Sequence, residues 1–593
     1  MNGAELMTKV LKQAGIDVVG GIPGHTVLGL ANAIGRADGI TPMLFRHEAT
    51  ATFAADVYFR LSGRLMAVFT HAFPGLTNGL VGISNAYADS SAMLVISGQT
   101  ARASLGRGAY QEFSRQFDGD TAQLLRHSVK RVYQPHGAAD LVDKTWSAIR
   151  LARSGRPGPT AIDVFEEIWD EEVVVDDFPP IEQYVFDTRT RPSQELIDRA
   201  HSLLLTAKRP VIVCGHGALL SRSLDLIRQY AEVMGIPVAT TGAGKGAFPE
   251  THPLSLGTVG WVGTSVANWA TRNADVILCL GARLSETTSS SWQPGITFEP
   301  STKIVQVDIE DQSLAQAYPI EVGMVGDIGL VIQDLLQLTA ENDPAPAHDV
   351  GDWLSRIDDE KVAWREVVKQ SREPGSSGRI GLGYVVESLE KEFRDVPINL
   401  VCDVGKHHKW IMQQYTARDI DRVVNSVAGG AMGIGAAGAL GAVMGRPDAR
   451  TISWNGDGGM SMMLPAWLTA AEYQFPIIFL VANDQSYGAV ANIQQAHYGN
   501  TVYSEFDAGG ARETAYQFDA SAVASAAGIP SMLVDQPGQV PSALAWAANE
   551  SGPAVLDIRC DRHSVVPSGG GKYIHDYWNH RTLPPGVTSG KVE

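Results

Sequence analysis

Asp457 stands in the turn Asn455-Gly456-Asp457-Gly458-Gly459, and Asn483 lies twenty-six residues further on, with Gln485 close behind. Glycines let backbone N–H groups face an anion, while a carboxylate and amide oxygens suit a hard cation. Mg²⁺ bridging to a diphosphate fits that combination, with Asp457, Asn483 and Gln485 as the cation candidates. A second carboxyl, Glu48, sits in Arg46-His47-Glu48 ahead of small apolar residues. Judged alone, a glutamate there most simply opens a helix, where it complements the dipole. His25 and His71 both occur where strands pass into loops, the second just before Phe73-Pro74-Gly75. Each is a candidate proton carrier or simply the satisfied histidine of a turn.

These residues need elements to hold them. Thr451 to Trp454 reads as a buried strand entering the glycine turn. Met460, Met463, Leu464, Trp467 and Leu468 then recur at helical spacing, and Pro476 ends that helix. Ile477 to Ala482 is a wholly apolar second strand ending at Asn483. In a parallel sheet both oxygen ligands would lie at the carboxyl edge, where open α/β sheets bind ligands. Strand-like and helix-like segments alternate over most of the chain, so the expected fold is α/β with three Rossmann-like parallel-sheet domains. The expected layout is a first domain over 1–175, a linker at 176–192 and a middle domain over 193–340. An acidic or polar linker at 341–375, a third domain over 376–566 and a tail at 567–593 complete it.

The length of 593 residues supports roughly three or four domains. Hydrophobic content of 44% against 19% charged residues describes a globular chain with ample core. A net charge of −18 without a basic stretch argues against nucleic acid and anionic membrane as partners. No apolar run approaches the roughly 20 residues that span a bilayer. The start, MNGAELMTKVLKQAGID, lacks a cationic flank with an apolar run, so a cytoplasmic protein is expected. Cys214, Cys279, Cys402 and Cys560 are far apart, and most sit in strand-like runs, as buried reduced thiols do.

Taken together, RHEATATFAADVYFR, HAFPGLTNGL, LARSGRPGPTAIDV and the GDGG-to-Asn483 unit resemble the acetolactate synthase-like thiamine diphosphate enzymes. The resemblance covers nearly the whole chain, in the order pyrimidine-binding, middle and diphosphate-binding domain. It implies thiamine diphosphate and Mg²⁺ as cofactors, with Glu48 hydrogen-bonded to N1′ of the aminopyrimidine. Pro23, Gly24, Gly75 and Asn78 fall on the pyrimidine side. Gly405, Lys406, His407, Gly430, Gly456, Gly458, Gly459 and Tyr487 to Val490 (with Gly488 and Ala489) fall on the diphosphate side, and Met432 is the wedge that bends the cofactor. Gly405-Lys406-His407 departs from the family's Gly-Gln-His. His71 stands where benzoylformate decarboxylase-like members carry a catalytic histidine and acetolactate synthases a small residue; Gln111 matches an active-site glutamine.

Arg156, Gly215, Gly217 and the 257–268 stretch follow the family pattern for a middle domain that carries FAD, whereas Arg283-Leu284-Ser285-Glu286 departs from it. FAD and an empty middle domain therefore both stay open. The implied activity is a lyase or carboligase acting on a 2-oxo acid or a 1,2-dicarbonyl compound. The implied assembly is a homodimer or homotetramer with its site at the subunit interface. Gln485-Ser486-Tyr487-Gly488-Ala489 is closer to benzaldehyde lyase and cyclohexane-1,2-dione hydrolase. Simple decarboxylation, dicarbonyl cleavage and a catalytically silent binding homologue stand beside carboligation as alternatives.

Overall fold

The computed structural model describes residues 1–113, 121–174, 178, 180–186, 188–341, 350–375, 379–506 and 516–571. Three six-stranded sheets follow one another along the chain, and every named strand pair in them is parallel. The first holds β1 (Val18–Gly21), β2 (Thr41–Leu44), β3 (Ala67–His71), β4 (Leu94–Gln99), β5 (Val132–Tyr133) and β6 (Thr160–Phe165). Its order is β2-β1-β3-β4-β6-β5. The second holds β7 (Pro210–Cys214), β8 (Val238–Thr240), β9 (Ser255–Thr258), β10 (Val276–Leu280), β11 (Lys303–Asp308) and β12 (Val322–Val325), in the order β12-β11-β10-β7-β8-β9. The third holds β13 (Ile398–Cys402), β14 (Arg422–Asn425), β15 (Arg450–Gly456), β16 (Ile477–Asn483), β17 (Ser531–Val534) and β18 (Ala554–Arg559), in the order β14-β13-β15-β16-β18-β17. The expected α/β architecture of three parallel sheets is what the chain forms.

The chain reverses its winding direction across β1 and β3, across β7 and β10, and across β13 and β15. Crossovers leave those strand pairs toward opposite sides, so a crevice opens beyond their carboxyl ends. The first and third domains are joined through two helices, Glu48–Ser62 and Ile434–Gly445. The second is built almost entirely of Gly, Ala, Ile, Leu and Val, and that lets backbones touch. A Cβ on Gly441 would lie 1.9 Å from the Ala54 carbonyl oxygen, and one on Gly438 2.5 Å from Val57 Cγ2. Phe53, Val57 and Tyr58 share a single apolar core with Ile434, Leu440 and Trp467 across this seam. Beside it Arg60 is buried, its guanidinium on Asp56 at 2.6 Å, Asp89 at 3.2 Å and the Asn425 carbonyl at 2.8 Å.

Three expectations about local structure need correction. The helix after the glycine turn is two helices, Asp457–Met462 and Leu464–Glu472, broken at Met463 ahead of Pro465. Leu468 consequently faces outward. The segment 341–375 is not a bare linker, because Gly351–Ser371 is a helix. Its Trp353, Ile357 and Trp364 fall on one helical stripe and pack on the middle domain, with Trp353 stacked on Trp269 at 5.2 Å. In the middle domain the segments RPVIVCGHGAL, IPVATTGAGKGAFPETHPLSLG, ADVILCLGARLSE and KIVQVDIED read as four strand–turn repeats, whereas its sheet has six strands. All four cysteines are buried and free. The expected tail is described as far as Gly571, where Gly569 accepts a hydrogen bond from Asn268 at 2.9 Å; 572–593 lies outside the described residues.

The seam yields a first prediction. Gly441→Ala should lower the stability of the first-to-third domain contact by about 1–3 kcal/mol, because the added methyl meets backbone that cannot turn aside. Denaturant unfolding followed by tryptophan fluorescence would measure it; an unchanged midpoint would mean that the two helices are not held at this spacing.

Candidate functional site

In the first domain the residues singled out by sequence converge on the β1/β3 crevice. Glu48 opens its helix behind the N-cap His47, whose Nδ1 accepts the Ala49 N–H at 3.1 Å. Its side chain is buried, and Oε2 accepts a hydrogen bond from Asn78 Nδ2 at 3.1 Å. Gly75 makes room for it, since a Cβ there would lie 3.0 Å from Glu48 Oε1. A buried carboxylate held by one amide keeps acceptor capacity for a ligand.

His71, at the end of β3, lies between two partners. Thr26 Oγ1 is 2.9 Å from Nδ1 and also accepts the Ala72 N–H at 3.3 Å. The threonine hydroxyl can turn its proton toward Nδ1, and the neutral imidazole then carries its own proton on Nε2. That nitrogen faces Gln111 Oε1 at 2.6 Å. Burial pushes the His71 pKa down, as does the charge of His25, while Glu48 and Glu166 act in the opposite direction. The His25 ring stands edge-on to His71 at 4.6 Å and its Nε2 is 3.8 Å from Glu166. Gly24 is required for this packing: a Cβ would sit 2.2 Å from the His71 ring. Pro23 precedes it at the exposed rim of the same turn. Ala72 (φ 46°) and Gln111 (φ 61°) both adopt the left-handed conformation, which costs a non-glycine residue about 1–2 kcal/mol. Strain of this kind collects where a site dictates side-chain direction.

The third domain carries a separate cavity of about 140 Å³ beyond the ends of β13, β15 and β16. Gly405, Lys406, His407, Met432, Gly456 to Gly459, and Tyr487 to Val490 line it together. His407 Nε2 is buried without a partner among the described residues, and burial drives that imidazole down to about 3, so it stays neutral. Glycine shapes the wall here too: a Cβ on Gly456 would lie 3.1 Å from His407, and one on Gly458 2.6 Å from Tyr487. A cavity with exposed glycine backbone and an orphaned ring nitrogen fits an anionic group. Burial, reinforced by the Asp484 carboxylate, pushes the Asp457 pKa upward, and a bound cation would relieve that cost.

Asn483 and Gln485 do not face this cavity. Asn483 Nδ2 donates to the Phe518 carbonyl at 2.9 Å and to Asp557 at 2.8 Å, and its Oδ1 accepts from Gln485 Nε2. Gln485 is further tied to Phe518 on both amide atoms. Ala482, Asp484 and Ser486 line the cavity instead. The cause is the two-residue period of an extended chain, which sends Asn483 and Gln485 to the opposite face. Gly430 (φ 62°) also stays outside, in an exposed turn leading to Met432. Thr26, Glu166, Asp484 and Ser486 were missed from sequence. Alternation along β16 was the available signal for Asp484 and Ser486.

The middle domain has a larger cavity, about 330 Å³, at the β7/β10 crevice. Gly215 and Gly217 after β7 and Gly281 to Ser285 after β10 line it, along with Arg156 from the first domain. Arg156 is already engaged, by Glu310 at 3.2 Å, Ser90 at 2.7 Å and the Ala88 carbonyl at 2.9 Å.

Known proteins place these cavities in context. The N-terminal TPP binding domain of thiamine pyrophosphate enzymes matches residues 1–118, their central domain 197–335 and their C-terminal TPP binding domain 403–558. The chain is 30% identical over 585 residues to a probable acetolactate synthase large subunit of Methanococcus aeolicus, covering 96% of this chain and 94% of that one. It is 30% identical over 509 residues to the acetolactate synthase isozyme 3 large subunit of Escherichia coli (strain K12), covering 84% and 85%. A Lactococcus lactis acetolactate synthase large subunit is likewise 30% identical, over 497 residues. With all three domains matched in order and relatives aligned over most of its length, the chain belongs to the thiamine pyrophosphate enzymes of acetolactate synthase-like type.

Proposed function

We propose that this protein uses thiamine diphosphate and Mg²⁺ to decarboxylate a 2-oxo acid and ligate the remaining carbon unit to a second carbonyl. The observation carrying this reading is the third-domain cavity, where two carboxylates face an orphaned imidazole across glycine backbone. Asp457 and Asp484 would hold Mg²⁺, with His407 Nε2 and the Gly456–Gly459 turn on the diphosphate and Met432 beneath the ring system. Thiamine diphosphate, when bound, supplies a nucleophilic carbon and an electron sink for the bond that breaks. Glu48, oriented by Asn78, would hold a proton at the aminopyrimidine N1′. Glu48 is not among the residues lining the third-domain cavity of its own chain. A complete site is therefore proposed to join Glu48 of one copy to the cavity of another, in a homodimer or homotetramer.

His71 favours a second reading. An Nε2 proton held at Gln111 is placed to protonate the product carbon, which ends the reaction without ligation. That outcome is a simple 2-oxo acid decarboxylase or, on a cyclic 1,2-dicarbonyl, a C–C hydrolase. Product analysis with pyruvate, benzoylformate and cyclohexane-1,2-dione separates the readings. Carboligation predicts a hydroxyketone product that His71→Ala leaves largely intact, whereas protonation predicts aldehyde or ring-opened acid that His71→Ala suppresses by about 10²-fold or more. No thiamine-dependent turnover of any oxo acid or dicarbonyl would leave the silent binding homologue.

Glu48→Gln tests the activation step without knowledge of the substrate. The amide keeps size and a hydrogen bond but cannot share an acidic proton, so hydrogen–deuterium exchange at C2 of bound thiamine diphosphate should slow about 10²–10⁴-fold. Exchange at the parent rate would return Glu48 to a helix-start carboxylate. For the middle domain we propose FAD as the occupant to test first. The purified protein should then be yellow and release flavin absorbance on denaturation, while colourless protein that ignores added FAD would mark the domain as empty.

A further inference from the structure

We propose that Lys406 is a built-in counter-cation for Asp484, setting how strongly the diphosphate cavity draws a divalent cation relative to a bare diphosphate. This rests on the cofactor site assigned above. Lys406 Nζ lies 2.7 Å from Asp484 Oδ2, and both side chains are only 6% exposed. Two further acceptors, the Asp561 and Arg562 carbonyls, stand at 3.1 and 2.9 Å. An ammonium has three N–H donors, and these three acceptors use them all, so the charge is fixed in place. Asp484 Oδ1 meanwhile accepts from Ser486 Oγ at 2.8 Å. Across the cavity, Asp457 accepts the Gly458 N–H at 2.9 Å and the Ser486 N–H at 3.2 Å.

The consequence is electrostatic. An unpaired Asp484 would present its negative charge to an incoming diphosphate; with Lys406 bound to it, the pair sums to zero. In a poorly solvated site a unit charge at this range outweighs a hydrogen bond. Lys406 thus weakens attraction for a metal ion and strengthens attraction for an anion. The lysine departs from the Gly-Gln-His of the resembling family. Its direct partner is an acid, so the extra positive charge is matched by a negative one.

The test uses full-length protein and two probes, Mn²⁺ alone and inorganic diphosphate in the presence of EDTA, each by titration calorimetry. Lys406→Gln should tighten Mn²⁺ binding and weaken diphosphate binding, each about tenfold or more. Asp484→Asn should weaken Mn²⁺ and tighten diphosphate. The double variant, with a neutral pair in place of a charged one, should return the Mn²⁺-to-diphosphate preference toward the parent's and serves as the folding control. If Lys406→Gln weakens both probes together, or changes neither, or if the double variant keeps the shift of a single one, the proposal is wrong. Failure of the cofactor assignment has its own signature: parent protein supplied with Mn²⁺ would not bind thiamine diphosphate.

Discussion

The close approach of Glu48–Ser62 to Ile434–Gly445 governs the placement of much else. Backbone touches backbone there because glycines leave no side chain between them, so the spacing of the first and third domains is set by van der Waals contact between the two main chains. Each helix also begins at a functional loop. Glu48 is the first residue of one, and Met432 with Gly433 leads into the other. A shift along the seam would move Glu48 and Met432 together. The buried Arg60 cluster then ties the same seam to the third sheet, through the carbonyl at the end of β14.

The three cavities obey one rule although they differ in chemistry. A parallel sheet wound in two directions leaves a gap where the crossovers diverge, and each gap is lined by the loops that leave the flanking strands. In the first sheet the gap collects imidazole, amide and carboxyl groups. In the third it collects glycine backbone and acids. In the middle sheet it collects glycines and arginines. Fold repetition thus provides three mouths of similar construction, and the local residue choice decides what each could hold.

The elements were legible wherever apolar periodicity was strong, as in β16 and the strand leading into Asp457. The Gly351–Ser371 helix was hidden by its charge: only Trp353, Ile357 and Trp364 are buried among its 21 residues. At the site, types and spacing singled out Asp457, Glu48 and His71, and the family resemblance Gln111, but not which way each side chain points. Asn483 was chosen over its neighbour because an amide after an apolar strand is conspicuous, yet strand parity gives the cavity to Asp484. The Thr26–His71 contact joins residues 45 apart in sequence and needed the β1/β3 pairing to bring them together. Nothing local in the chain announces such a bond.

Burial of all four thiols has a consequence for how the protein meets its surroundings. Burial raises the pKa of each, Cys214 to about 12 and the others beyond that, so none is a thiolate near neutral pH. Cys214, Cys279 and Cys402 lie within strands of two sheets, and Cys560 follows a third-sheet strand. Electrophiles and peroxides reach Cys214, Cys279 and Cys402 only when a sheet opens, whereas Cys560 borders the third-domain cavity. Alkylation of those three thiols is therefore a clock for unfolding, while that of Cys560 would report on access to the cavity.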